Sequence, residues 1–225
     1  MRTLGVGIVG LHHLHPVDYL PHLRALPGTR VQAIAEADDA LRDAVCAAAG
    51  VPGVADGEAL LARNDIDLVL VFLPHADCPA FVELAAAAGK HAIVEKPMAA
   101  TSAGIERMIR AAAVAGVGLS APFCWRYHPA AIQIRDLVRS GALGQVIALE
   151  GRCAAGSPAR YRVGEISPWL LSRERAGGGP MHNLGVHWID LFRWILADEV
   201  ESAAGMVTHG QHQLDVEDNS FALLR

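Results

Sequence analysis

The feature that most constrains this chain is a regular alternation of short apolar runs with longer helical segments in its first half. Leu4–Val9, Arg30–Ala35 and His91–Val94 are rich in apolar and β-branched residues and predict strands. Ile66–Leu73 is apolar apart from Asp67, which is typical of a parallel strand buried on both faces. Helical segments of about 10–15 residues separate these runs, so we expect an α/β fold with a doubly wound parallel sheet.

Residues that favour helix ends stand where this alternation requires them. Pro16 suits the first turn of a helix that ends near Leu26, because the missing N–H of proline would have no partner there. Asp38 or Asp39 predicts the N-cap of the next helix, and Gly50 predicts its C-terminal end. Further helices are predicted over Pro79–Ala88 and from Thr101 or Ser102 to about Ala115.

The alternation stops after Pro122. The later segments predict, in order, a helix from Pro129 to Gly141, a strand over Val146–Cys153, a helix over Met181–Leu196, and strands near 200–208 and 219–225. Because strands and helices no longer alternate, we expect one domain over residues 1–122 and a second, α+β domain over residues 123–225.

Composition excludes several classes of partner. The chain is 52% hydrophobic and 19% charged, has a net charge of −5, and shows no basic stripe of the kind that binds nucleic acid. Its longest apolar run, Leu68–Pro74, is far shorter than the roughly 18–20 residues of a membrane span. The N-terminus lacks the features of a signal peptide. We expect a cytoplasmic protein without a disulfide framework, since no C-x-x-C pair occurs among its cysteines, Cys46, Cys78, Cys124 and Cys153.

The turn after the first strand is where a doubly wound sheet binds phosphate. Of the usual G-x-G-x-x-G pattern only Gly10 is kept, and His12 and His15 replace the other two glycines. Either histidine could hydrogen-bond a pyrophosphate, so we expect cofactor contacts from Gly10, His12, His13 and His15. Two alternatives stay open, namely a metal site formed by the three histidines, and a helix cap with surface histidines.

Other candidate cofactor contacts lie at the ends of two further strands. Glu36 ends the second strand, 26 residues past Gly10, where an acid accepts hydrogen bonds from the adenosine ribose. A carboxylate there repels a 2′-phosphate and favours NAD over NADP. Pro74 and His75 follow the run Ile66–Leu73 and are expected near the nicotinamide ribose. The alternatives are an exposed acid at Glu36 and a simple turn at Pro74.

Lysine is scarce, since Lys90 and Lys96 are the two lysines among 19 basic residues. A retained lysine suggests that a primary amine is wanted, because arginine cannot lose its proton near neutral pH whereas a desolvated lysine can. Chance is the alternative explanation. Lys96 directly follows a predicted strand, where open α/β sheets bind their ligands.

Two long motifs carry a resemblance to a known family. The first is Ala88-Gly-Lys-His-Ala-Ile-Val-Glu-Lys-Pro97, and the second runs from Gly177-Gly-Gly-Pro-Met-His-Asn183 to Gly185-Val-His187-Trp-Ile-Asp190. In this order they resemble the glucose–fructose oxidoreductase/inositol dehydrogenase (Gfo/Idh/MocA) family. The resemblance implies an N-terminal Rossmann domain and a partial C-terminal domain with a mostly antiparallel sheet, which often forms an oligomer interface. Family chains are usually much longer, so we expect this one to be C-terminally truncated.

The resemblance also implies roles for individual residues. It places Glu95, Lys96 and Pro97 at the cofactor, with a cis peptide bond before Pro97. Lys96 would stabilise a substrate alkoxide, and His187, on one helix face with Asn183 and Asp190, would take the hydroxyl proton. A surface lysine and a core histidine are the alternatives.

The family usually has Asp where this chain has Asn183, which can orient a substrate only by hydrogen bonding. Arg126 lines the cleft between the domains or supports a helix start. We interpret Trp169, Trp188 and Trp194 as core or interface aromatics rather than sugar-stacking platforms.

The resemblance therefore predicts an NAD-dependent oxidoreductase that transfers hydride between nicotinamide and a secondary alcohol or ketone of a sugar, polyol or related small molecule. Lys96, Asn183 and His187 are its expected catalytic residues, and with Arg126 they are its expected substrate contacts. A homo-oligomer is expected for the full-length protein. The alternatives are a non-catalytic module that senses a nucleotide or sugar, and an inactive fragment.

Overall fold

A computed structural model describes residues 2–156, 167–210 and 212–225. The N-terminal region contains these elements: β1 (Leu4–Val9), α1 (Pro16–Ala25), β2 (Thr29–Ala35), α2 (Asp39–Ala49), β3 (Gly53–Val54), α3 (Gly57–Leu61), β4 (Leu68–Val71), α4 (Cys78–Ala87), β5 (His91–Val94), α5 (Ser102–Ala115) and β6 (Leu119–Ser120). The C-terminal region contains α6 (Pro129–Arg139), α7 (Arg173–Ala176), α8 (Val186–Leu196), β7 (Ala203–Thr208) and β8 (Asn219–Leu224).

The N-terminal strands form one parallel sheet of six strands in the order β3-β2-β1-β4-β5-β6. The predicted doubly wound sheet is confirmed. The chain order reverses between β1 and β4, so the carboxyl ends of these neighbouring strands open a crevice. In sheets of this kind, ligands bind at such a crevice.

Apolar residues of the sheet alternate between two clusters of buried side chains, one on each face. Val69 and Val71 of β4 belong to one cluster, whereas Leu70 and Phe72 belong to the other. Successive side chains of a strand point to opposite faces, so an unbroken apolar run serves both clusters. Helices cover the two faces, and the predicted caps hold: the Asp38 carboxylate accepts a hydrogen bond from the N–H of Leu41 at 3.0 Å.

The C-terminal region is built differently. Helices α6 and α8 pack around Ala131, Leu191 and Ile195, and β7 pairs with β8 in an antiparallel ladder. The predicted helix Met181–Leu196 is present, but its first turn, Met181–Gly185, is a π-helix. The candidate strands near 200–208 and 219–225 are confirmed as β7 and β8.

The predicted strand Val146–Cys153 is wrong. These residues form no strand in the structure, and Ile147 is 97% exposed. Apolar and β-branched content favours extended backbone, but a strand also needs a neighbour for its hydrogen bonds. No strand in the described part of the chain pairs with this segment. The connection between this segment and the helix that begins at Met181 lies partly outside the described residues.

None of the helices in the described ranges is both long and apolar enough to cross a bilayer.

Candidate functional site

The carboxyl ends of the parallel strands bring most of the predicted cofactor residues to one edge of the sheet. Gly10 follows β1, Glu36 follows β2, and Pro74 follows the end of β4. The pair Glu95 and Lys96 follows β5. Residues from four separate parts of the sequence therefore share the carboxyl edge of the sheet.

Gly10 makes the sharp turn out of β1. Its φ is +86°, a conformation that side chains of L-residues rarely adopt. A Cβ at this position would also lie 2.8 Å from the carbonyl oxygen of Phe72 in the chain beside it. Both observations explain why a glycine is needed at position 10.

The three histidines of the first turn have different surroundings. His13 is buried, its ring lies 5.8 Å from that of Trp169, and its Nδ1 accepts the N–H of His15 at 3.2 Å. His12 places its Nε2 3.8 Å from the Asp38 carboxylate, and its carbonyl accepts the indole N–H of Trp169 at 2.7 Å. Burial lowers the pKa of His13 and of His15.

The structure bears on both alternatives for these histidines. Within the described ranges, no group of three or more His, Cys, Asp or Glu side chains is arranged to hold a metal ion. His13 is a buried residue rather than a surface one. His15 precedes α1 at the N-cap position but makes no side-chain cap hydrogen bond.

Glu36 is buried rather than exposed. Its carboxylate accepts the N–H of Leu11 at 2.6 Å and the N–H of Asp38 at 3.0 Å. The acid therefore braces the turn after β1 from the neighbouring strand. This contact between the turn and the acid was not predicted.

Lys96 is buried, and its amine reaches the C-terminal region. Nζ donates to the backbone oxygen of Asn183 at 3.1 Å and to its Oδ1 at 3.2 Å. Burial lowers the pKa of Lys96, and the neighbouring Glu95 partly opposes that shift. The peptide bond between Lys96 and Pro97 is cis, as the resemblance implied.

Glu95 directly precedes Lys96 in the chain and is only 5% exposed. Burial raises its pKa to about 7, against the opposing influence of the Lys96 ammonium. The Tyr19 hydroxyl lies 3.5 Å from Oε2 of Glu95. Near neutral pH this carboxyl is therefore close to its midpoint of ionisation.

His187 is buried in the first turn of α8. Its ring stacks on Trp125 with centroids 4.5 Å apart, and within the described part of the chain its Nδ1 has no hydrogen-bond partner. Burial, and next the nearby Lys96 ammonium, lower the pKa of His187 to about 4. The imidazole is therefore neutral at pH 7 and able to accept a proton.

The Arg126 guanidinium binds the Asp190 carboxylate instead of lining an open cleft. Nε of Arg126 donates to Oδ2 of Asp190 at 2.7 Å, and Nη2 donates to Oδ1. This bidentate pair joins the turn before α6 to α8. It supports the structural alternative for Arg126.

The second half of the site includes contacts that sequence reasoning missed. His75 is buried, and its Nδ1 donates to the carbonyl of Ala176 at 2.7 Å, whereas no described residue hydrogen-bonds its Nε2. Its ring meets Trp169 edge-on at 4.8 Å. Trp169 thus touches residues that follow both β1 and β4. The sequence around Trp169, which directly follows Pro168, does not indicate these contacts.

The two parts of the chain match two family profiles. Residues 4–123 match the oxidoreductase family with an NAD-binding Rossmann fold, and residues 131–225 match the GFO/IDH/MocA C-terminal domain. The chain belongs to the Gfo/Idh/MocA family of oxidoreductases. The resemblance seen in the two motifs is thereby confirmed.

Several relatives act on sugars. The chain is 29% identical over 213 residues to the dTDP-3,4-didehydro-2,6-dideoxy-alpha-D-glucose 3-reductase of Streptomyces violaceoruber, which covers 93% of this chain. The chain spans 59% of that reductase's length.

Two solved structures share the fold. The WlbA dehydrogenase from Bordetella pertussis, solved with NADH and UDP-GlcNAcA, superposes with a TM-score of 0.87 at 23% identity, over 100% of this chain and 66% of that one. At this identity the likeness shows the fold alone. The aldose–aldose oxidoreductase from Caulobacter crescentus, complexed with glycerol, gives a TM-score of 0.83 at 27% identity, over 99% of this chain and 67% of that one.

Proposed function

We propose that this protein transfers hydride between NAD and a secondary alcohol or ketone of a sugar, polyol or related small molecule. The observation that carries the proposal is the Lys96 amine, held 3.1 and 3.2 Å from two oxygens of Asn183. This contact lies at the carboxyl edge of the sheet, and the neutral His187 follows one turn further along the same helical segment.

The residues present fit a dinucleotide at this edge. The left-handed turn at Gly10 is the turn that such a fold requires, and it lies where the strand order reverses. We propose that Gly10, Glu36 and His75 hold the cofactor, with Glu36 disfavouring a 2′-phosphate, while the Lys96 amine faces the substrate. The bound nicotinamide supplies the hydride acceptor or donor.

The protein's own groups then handle the proton and the charge. In the oxidation direction the neutral imidazole of His187 accepts the proton of the substrate hydroxyl. The Lys96 ammonium stabilises the negative charge that develops on that oxygen. Asn183 fixes the hydroxyl and the amine by hydrogen bonding, without adding charge.

Further features are proposed on the same basis. The two regions are two domains with a boundary near residue 122, since the parallel sheet ends at Ser120 and α6 begins at Pro129. We further propose that the protein is cytoplasmic, forms a homo-oligomer and acts on a small molecule rather than on nucleic acid or a membrane.

A sensor that binds the cofactor without turnover is the second candidate. Two observations favour it. The indole N–H of Trp169 donates a hydrogen bond to the carbonyl of His12, in the turn where a pyrophosphate would bind. In addition, Asn183 stands where the family usually has an acid. A protein of this kind would bind NAD but would oxidise no substrate.

Replacing the amine separates the candidates. Lys96→Met is expected to keep NAD affinity, measured by fluorescence quenching, and to lower turnover by ~10²-fold, as the loss of one transition-state contact does. Turnover is measured as NADH formation over a panel of sugars and polyols. Lys90→Met is the matched control, because that amine donates to the carbonyls of Arg63 and Ile66 outside the site.

Each outcome has a distinct meaning. Unchanged turnover in Lys96→Met removes Lys96 from the mechanism. NAD binding without turnover of any substrate by the unmodified chain favours the sensor. Failure to bind NAD contradicts both candidates and supports an inactive fragment.

A further inference from the structure

The imidazole of His187 is enclosed by aromatic side chains from one short segment. The indole of Trp125 lies parallel to it, with an interplanar angle of 10° and centroids 4.5 Å apart. The ring of Phe123 approaches edge-on, at 6.4 Å and 88°. Both residues come from the connection between β6 and α6, more than 60 residues before His187 in the chain.

The same segment grips the helix that carries His187 at a second point. Arg126, next to Trp125, holds Asp190 through the bidentate pair, and Asp190 is only 5% exposed. Asp190 lies three residues after His187, so the two contacts are about one helical turn apart. Two adjacent residues of the segment, Trp125 and Arg126, therefore hold α8 at two points about one turn apart.

Hydrogen bonds do not fix the orientation of the His187 ring. The residue is 6% exposed, and its buried Nδ1 has no hydrogen-bond partner among the residues that the structure describes. In many catalytic histidines a hydrogen bond at the second nitrogen sets the ring plane and the tautomer. Here the parallel contact with Trp125 takes over the first of these two tasks.

We propose that Trp125 is a positioning residue, which holds the plane of the His187 imidazole and keeps water from one face of it. The proposal rests on the proposed function, in which His187 accepts the substrate proton. Trp125 acts through His187 and touches no reacting atom. Because a proton acceptor must be correctly oriented, loss of the stack affects kcat more than KM.

Proton NMR of the unmodified chain tests the stack directly. The His187 ring protons are expected upfield of the other histidine signals and to show nuclear Overhauser effects to the indole of Trp125. His187→Asn assigns the signals by removing them. A His187 ring with no such effects and no upfield displacement overturns the proposal without any turnover measurement.

Variants at position 125 test the positioning role. Trp125→Leu removes the aromatic face and is expected to lower kcat by about 3- to 10-fold, the range of an aromatic pair, with KM changed less than about twofold. Trp125→Phe keeps a ring and is expected to retain most of kcat. Trp125→Met, whose unbranched and flexible side chain fills irregular gaps, replaces the leucine variant if that variant does not fold.

Trp194→Leu is the matched control. Trp194, like Trp125, packs against the cluster of Ala131, Leu191 and Ile195, and the Arg135 guanidinium lies 4.5 Å from its ring. It therefore supports the packing of α8 but is not one of the aromatic rings around His187. Its loss is expected to lower stability while leaving kcat unchanged. Equal kcat losses in Trp194→Leu and Trp125→Leu would show a packing role and overturn the proposal.

The two proposals fail in different ways. Turnover by the unmodified chain together with full kcat in Trp125→Leu contradicts the positioning role alone. A stack seen by NMR in a chain that has no turnover contradicts the proposed function, and the positioning role is then lost with it.

Discussion

The two sheets of this molecule differ in how much of their surface other elements cover. In β1, five of six residues are buried, whereas all six residues of β7 are exposed. Parallel strands need long crossover connections, and the helices in those connections cover both faces. The antiparallel pair β7 and β8 can form without any such layer. The comparison teaches that a parallel sheet is buried by the helices of its own connections. An antiparallel strand pair has no such helices, so its burial depends on packing against other parts of a protein.

The first prediction compares an apolar residue from each sheet. Ile8 of β1 is 0% exposed, so Ile8→Ala is expected to lower the free energy of unfolding by about 2–5 kcal/mol. Leu223 of β8 is 76% exposed, and Leu223→Ala is expected to change it by less than about 0.5 kcal/mol. Urea unfolding followed by circular dichroism measures both. A large loss in Leu223→Ala would break the comparison, because it would show that β8 is covered in solution.

The second prediction concerns the buried carboxyl of the N-terminal region. Burial raises the pKa of Glu95 from 4.5 to about 7, so the folded protein favours the protonated form. The stability associated with that form is complete below pH 4.5 and is lost as the pH rises through about 7. Glu95→Gln is therefore expected to gain stability relative to the unmodified chain by on the order of 2–3 kcal/mol between pH 4 and pH 8.

Urea unfolding across that pH range measures the gain. Ile8→Ala serves again as the control, because it removes packing and no ionisable group, so its loss of stability is expected to be the same at each pH. A constant difference between Glu95→Gln and the unmodified chain would mean that Glu95 ionises normally in the folded protein.

The third prediction tests the contact that joins the two regions. Asn183→Asp places a carboxylate 3.2 Å from Nζ of Lys96 and is expected to raise the pKa of that amine by about one unit or more. Activity that needs the ammonium falls as pH rises through this pKa, so the alkaline limb of kcat/KM moves to higher pH. Asn64→Asp adds the same charge at an exposed position of the N-terminal region and controls for net charge. An unmoved alkaline limb would place Lys96 or Asn183 outside the rate-limiting chemistry.

The sequence predicted the N-terminal region best because its signals are local. The strand His91–Val94 and the helix Ser102–Ala115 match the structure at both ends. An apolar run defines the strand, and a cap residue defines the start of the helix. The strand predicted over Val146–Cys153 failed because its own composition cannot say whether a neighbouring strand exists. The π-turn over Met181–Gly185 was missed because an apolar helical pattern does not reveal its hydrogen-bond register.

For the site, the motifs located Lys96, Asn183 and His187 but not their surroundings. The contact between Lys96 and Asn183 joins residues 87 positions apart, and no local pattern encodes such a distance. The aromatic partner of His187 was equally hidden, because Trp125 lies more than 60 residues before His187 and no local pattern pairs the two.

The hydrogen bond from the indole of Trp169 to the carbonyl of His12 has a consequence for synthesis on the ribosome. The two residues are 157 positions apart, and a ribosome adds about 5–20 residues per second. The turn after β1 therefore emerges roughly 10–30 s before the indole that ties it down. During that interval the nascent parallel sheet holds its first turn without the Trp169 contact, and the finished geometry of the turn is acquired late in translation.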